Sequence, residues 1–123
     1  MTGYVVFAHG SSVESANEAV RAVALEMARR GGLVVEAAFL EGGQPDLNGA
    51  VAGMAGKVSR VVVIPYFLTL GLHLQRDLPR LVDEARRANP GLTIAVTPPL
   101  DGHPAMVDVL LARAREAAGA IPA

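Results

Sequence analysis

Four short runs of apolar, β-rich residues punctuate the chain at residues 3–8, 33–40, 60–67 and 92–97, and each reads as a buried strand. Between them apolar positions recur at three- and four-residue intervals, the spacing of a helix face. The first helix is predicted from about Glu14 to Arg30, with Ala16, Ala19, Val20, Val23, Ala24 and Met27 inward and Gly31-Gly32 as its stop. Asp46 caps a second helix with the stripe Leu47, Val51, Met54, Ala55 and Val58, weakened by Gly49 and Gly53. A third runs from about Asp77 to Ala88, with Leu78, Leu81, Val82 and Ala85 inward and Pro79 in its first turn. Asn89-Pro90-Gly91 ends it, Pro98-Pro99 stops the fourth strand, and residues 104–118 form the last helix. Ile121–Ala123 is expected to fray.

This alternation predicts an α/β fold: an open, parallel, four-stranded sheet in the flavodoxin-like order 2-1-3-4, with helices on both faces and right-handed crossovers. The length of 123 residues fits one domain over residues 1–123. Hydrophobic residues make up 51% of the chain and aromatic ones 4%, so the core must be aliphatic.

Composition narrows the chemistry. The absence of cysteine excludes disulfides, thiolate metal sites and thiol nucleophiles, and fits a reducing, cytoplasmic setting. A formal charge of −1 without charge blocks gives no footprint for nucleic acid. The apolar runs are too short to span a membrane, and residues 1–8 lack the charged start of a signal peptide. A G-x-G-x-x-G turn, a Walker lysine and a G-x-S-x-G elbow are all missing, so neither a nucleotide nor a serine-hydrolase mechanism is indicated. Ala8 stands where a histidine phosphatase would carry arginine.

In a parallel sheet the carboxyl ends of all strands share one edge, where ligands bind. His9 and Glu41 directly follow the first and second strands; His73 and His103 each lie six residues past the third and fourth. Imidazole is the commonest metal ligand, which makes His9 and His73 candidate ligands and Glu41 a candidate proton acceptor. Each has a plainer alternative: His9 bonded to loop backbone, His73 structural within an apolar loop, Glu41 a solvated turn residue. His103 reads first as a helix-entry residue. Ser11-x-x-Glu14 and Ser15-x-x-Glu18 read as capping boxes, and Arg76 and Asp77 as helix-start residues.

The segments Val5-Val-Phe-Ala-His9-Gly-Ser-Ser12, Ala38-Phe-Leu-Glu41, Val62-Val-Ile-Pro-Tyr-Phe67, Gly71-Leu-His73 with Asp77-Leu-Pro79, and Pro99-Leu-Asp-Gly-His-Pro104 occur in that order. Together they resemble the short form of the CbiX-type sirohydrochlorin cobaltochelatases and ferrochelatases, over nearly the whole chain. Two positions depart from the pattern: Ser12 stands where relatives usually carry a basic residue, and Leu68-Thr-Leu-Gly-Leu72 lacks the basic neighbour of His73. How substrate carboxylates are held is therefore left open.

The resemblance implies an ATP-independent lyase that inserts a divalent metal into sirohydrochlorin on the way to cobalamin or siroheme. Cobalt is the first expectation for the metal substrate, with iron or nickel as alternatives. His9 and His73 would carry the ion, Glu41 would take a pyrrole proton, and Ser11, Phe67 and Leu72 would touch the macrocycle. A non-catalytic carrier or sensor of metal or tetrapyrrole would use the same histidines. The longer members hold two halves of this fold, which implies a homodimer here with the site at or beside its interface. The apolar stretch from Tyr66 to Leu72 also calls for a partner or ligand surface.

Overall fold

The computed structural model describes residues 1–121. Its elements alternate as expected: β1 (Thr2–Ala8), α1 (Glu14–Gly31), β2 (Val34–Phe39), α2 (Leu47–Met54), β3 (Arg60–Pro65), α3 (Leu72–Ala88), β4 (Thr93–Val96) and α4 (Ala105–Ala118). The four strands form one sheet in the order β2-β1-β3-β4, and every pairing is parallel. The expected strand order and sheet type are both found. The expected fraying at the C-terminus falls largely outside the described residues.

The register sorts side chains onto two faces. Val5, Phe7, Ala38, Val61, Val63 and Ile94 point to one face, where α2 and α3 cover them with Leu47, Val51, Met54, Leu78, Val82 and Ala85. Val6, Ala8, Ala37 and Phe39 point to the other, beneath Val20, Ala24 and Met27 of α1. Alternation of this kind is what a two-sided parallel sheet demands of its strands.

Three expectations need correction. Ala16 and Ala19 are exposed, because the line of α1 that meets the sheet is Asn17, Val20, Ala24 and Met27. Val58 is buried, but beyond the end of α2, and Ala55 is exposed. The third helix begins at Leu72 and not near Asp77, so His73 lies in its first turn and Pro79 lies in its interior. The gain is Leu74, which joins Leu78, Val82 and Ala85 on the buried stripe. Pro79 is exposed, so its ring faces solvent while its missing N–H removes one helical hydrogen bond. Asp46 caps α2 as expected, its carboxylate accepting from the Gly49 N–H at 2.8 Å.

Candidate metal centre at the carboxyl edge

Two loops at the carboxyl edge are laced together. The Leu40 N–H donates to the Ala8 carbonyl at 2.9 Å and the Glu41 N–H to the His9 carbonyl at 3.0 Å, so the strand pairing runs past β1 and β2. Gly10 makes this approach possible. Its φ is +87°, and a Cβ there would stand 1.6 Å from the Glu41 carbonyl oxygen. Gly42, at φ +71°, lies as closely against the Ser11 backbone.

Asn17 braces both loops from below. Among the described residues it is the one polar residue in the buried set, at 1% exposure. Its amide nitrogen donates to the carbonyls of Ser11 (2.8 Å) and Gly42 (3.0 Å), and its oxygen accepts from the Ser11 N–H (3.0 Å). A buried amide satisfied in this way fixes the loops relative to the helix. Sequence reasoning missed it, although a signal existed: Asn17 interrupts the inward stripe of α1 at a position where an apolar residue is the default. Beside it, hydrogen bonds from Arg21 first, and from Asn17, hold the Glu14 carboxyl below the usual carboxylate range. The Arg21 guanidinium also lies 5.1 Å over the Phe39 ring and donates to the Gln44 carbonyl at 3.0 Å.

The capping boxes do not form. Val13 is the N-cap of α1 with no side-chain cap, and Ser15 lies inside the helix. The Ser11 hydroxyl accepts from the Val13 N–H at 3.0 Å. With Asn17 holding the Ser11 backbone, that serine sits too far ahead of the helix to cap it.

The lacing brings His9 and Glu41 face to face: Nε2 of His9 lies 3.7 Å from Oε1 of Glu41, with side chains 58% and 71% exposed. At that separation the carboxylate is not consumed by a hydrogen bond to the ring. Nδ1 of His9 lies 3.2 Å from the Gly10 carbonyl, which can only accept. The Nδ1 proton is thereby placed, and the Nε2 lone pair is left facing Glu41 and solvent.

His73 stands on the same edge of the sheet, in the first turn of α3, and is presented differently. Its Nδ1 lies 3.2 Å from Nη2 of Arg76, a group that can only donate, so this ring nitrogen is occupied and the proton sits on Nε2. Arg76, read from the sequence as a helix-start residue, is thus the basic neighbour that the preceding loop lacks. Among the described residues no three His, Asp or Glu side chains converge tightly enough to hold an ion by themselves. His103 takes the helix-entry role: its Nδ1 accepts from the Ala105 N–H at 3.0 Å at the start of α4.

The remaining candidates divide. Phe67 packs on the core, its ring 6.2 Å from that of Phe7, and Leu70 also turns inward. Leu68 and Leu72 stay out, at 63% and 83% exposure. The apolar stretch after β3 therefore folds back in part and presents the rest at the edge. No helix among the described residues is long and apolar enough to cross a membrane.

The chain is similar to several known proteins. The sirohydrochlorin cobaltochelatase of Methanosarcina barkeri is 34% identical over 82 residues, a stretch covering 65% of this chain and 63% of that protein, so the match spans less than two thirds of its length. The sirohydrochlorin cobaltochelatase of Methanococcoides burtonii is 29% identical over 124 residues, covering 93% of this chain and 95% of the relative. The crystal structure of a CbiX protein of Marinobacter aquaeolei VT8 superposes with a TM-score of 0.87 at 24% identity, over 98% of this chain and 100% of that one, which shows the shared fold. The CbiX family model matches residues 3–117, from the start of β1 into the last turns of α4, and this chain belongs to the CbiX family.

Proposed function

We propose that this chain, as one chelatase-like domain over residues 1–123 acting in the cytoplasm, inserts a divalent metal into sirohydrochlorin without ATP. The observation that carries the reading is the His9–Glu41 pair: an imidazole lone pair and a free carboxylate share one exposed edge in a CbiX-family chain. Family relatives named sirohydrochlorin cobaltochelatase support cobalt as the first metal, with iron or nickel as alternatives.

Insertion exchanges one M²⁺ for two pyrrole N–H protons. His9 offers Nε2 to the ion, a borderline donor suited to first-row divalent metals. His73 offers Nδ1 to the ion once Arg76 has moved off that ring nitrogen. An open site with few protein donors leaves coordination positions for the macrocycle nitrogens, which suits an ion that must leave. Glu41 would accept the two ring protons in turn as the metal enters, passing each to solvent. Leu72 supplies an apolar surface for the macrocycle, with Ser11 at the loop and Phe67 at the edge of the core. The Arg76 guanidinium is the group on this edge for a substrate carboxylate.

Two copies acting together supply the missing wall of the cleft, which makes the working unit a homodimer with its site beside the interface. The exposed Leu68 and Leu72 support this.

The test is purified protein with sirohydrochlorin and Co²⁺, Ni²⁺ or Fe²⁺ in turn, followed by absorbance. Many equivalents of metallated product per chain are expected. A yield that stops at one equivalent would instead establish a carrier.

A further inference from the structure

A substrate that carries carboxylates needs a cation at the edge where it binds, and the topology leaves few there. In a parallel sheet each crossover helix begins at the carboxyl edge and ends at the opposite one. Arg29 and Arg30 close α1, Arg86 and Arg87 close α3, and Lys57 and Arg60 flank the start of β3, so all of these lie at the far edge. α4 has no buried residue and stands clear of the sheet. Its Arg113 is paired with Glu116 at 3.0 Å, and its Arg115 lies in the last turn. Nearer the candidate site, Arg21 is committed to Glu14 and Glu18, and Arg80 to Glu84 at 3.0 Å.

Arg76 is held differently. It lies in the early turns of α3 at the carboxyl edge, with its side chain 73% exposed. Nη2 lies 3.2 Å from Nδ1 of His73, and Nε lies 3.5 Å from Oδ1 of Asp77, the outer limit of a hydrogen bond. Both contacts are weak. A neutral imidazole nitrogen is a poorer partner than a carboxylate, and a long, exposed ion pair contributes little. Asp77 also keeps a counter-charge when Arg76 leaves, because Nη2 of Arg80 lies 3.8 Å from the same oxygen. A macrocycle carboxylate offers the guanidinium fork two charge-assisted hydrogen bonds and draws it off the ring.

At His73 two cations compete for one atom. Nδ1 has a single lone pair in the ring plane, so Arg76 and a metal ion cannot both hold it, and the guanidinium charge repels the ion besides. A carboxylate that engages Arg76 frees the lone pair and neutralises the charge in one movement. The exchange is local, since His73, Arg76 and Asp77 stand three and four positions apart on one face of α3.

We propose that Arg76 is a latch on His73 that a carboxylate of the tetrapyrrole releases, so that the macrocycle loads first and the metal site opens behind it. Coupling of this kind is reciprocal: the factor that the bound carboxylate adds to metal affinity is the factor that the bound metal adds to macrocycle affinity. The latch keeps a free ion off His73 until its acceptor is in place.

The latch rests on the chelatase reading, and its test separates the two. The probe is copper uroporphyrin, a polycarboxylate macrocycle whose centre is already filled, so that no insertion is involved. Its binding is titrated by absorbance with and without Co²⁺, on the wild type and on Arg76→Ala. Arg76 is exposed, so the variant keeps the fold. Co²⁺ should tighten probe binding roughly ten-fold in the wild type and hardly at all in the variant. Co²⁺ held by the probe's own carboxylates is common to both proteins and cancels in the comparison. Initial rates with sirohydrochlorin should agree: KM for Co²⁺ falls as the macrocycle is raised in the wild type and stays constant in Arg76→Ala. Equal coupling in the two proteins, or a wild-type KM for Co²⁺ that ignores sirohydrochlorin, would overturn the latch and leave the chelatase standing. Coupling to the probe without turnover of sirohydrochlorin would uphold the latch and remove the chelatase.

Discussion

Nε2 of His9 faces Oε1 of Glu41 across 3.7 Å, while the Gly10 carbonyl holds the proton on the other ring nitrogen. The imidazole is thus presented with its lone pair toward a carboxylate on an exposed edge. His9→Ala and His73→Ala should each lose most metal insertion, measured by absorbance with sirohydrochlorin and Co²⁺. Both residues are exposed, so urea midpoints should move by no more than about 1 kcal/mol of stability. Wild-type turnover in both variants would remove the site.

Glu41→Gln keeps the size and removes the base. Slower insertion is expected, with Co²⁺ binding to the protein alone, followed by calorimetry, unchanged. A matching loss of metal affinity would make Glu41 a ligand and not a proton acceptor.

Arg76 occupies Nδ1 of His73 at 3.2 Å and places a positive charge where an ion would approach. Arg76→Ala should tighten Co²⁺ binding roughly thirty-fold, the effect of removing one unit charge ~4 Å from a divalent ion in a solvent-rich setting. If the same guanidinium holds a substrate carboxylate, KM for sirohydrochlorin should rise together with the gain in metal affinity. Unchanged metal affinity would mean that Arg76 and the ion do not compete.

Asn17→Leu should be far more damaging than its distance from the edge suggests. It strands the Ser11 N–H and the Ser11 and Gly42 carbonyls, at a cost of about 3 kcal/mol. The protein that remains folded should show a lower kcat, because the loops carrying His9 and Glu41 lose their common brace. A denaturation midpoint equal to wild type would show that the loops hold without it.

Gly10→Ala and Gly32→Ala form a matched pair. Both glycines have positive φ, +87° and +62°, but a Cβ meets the Glu41 carbonyl at 1.6 Å in the first and nothing within 4 Å in the second. Gly32→Ala should cost about 1–2 kcal/mol, the left-handed penalty alone. Gly10→Ala should cost clearly more and should perturb metal binding, because the Glu41 loop must move. Equal losses by thermal denaturation would refute the steric part.

Much of the architecture was legible along the chain. A strand shows its two faces as alternation and a helix its buried side as a stripe, both within a few residues, so element order and sheet type follow from local pattern. The placing of His9 and Glu41 on one edge follows too, since it needs only that the strands be parallel. The start of α3 did not follow: Pro79 marks a first turn by local preference, and only the burial of Leu74 in the core outweighs it. Nor did Asn17 or Gly10, whose partners are carbonyls at Gly42 and Glu41, twenty-five and thirty-one positions away. Arg76 meets His73 only once the helix begins early enough to put both on it, at a spacing of three. The detachment of α4 is the most distant decision of all. Its sequence specifies an amphipathic helix, but its departure from its own sheet is set by hydrogen bonds between the linker at Leu100 and Asp101 and the chain after β3. Local sequence sets the shape and polarity of each element. Where two elements meet is set by surfaces that exist only after the rest has folded.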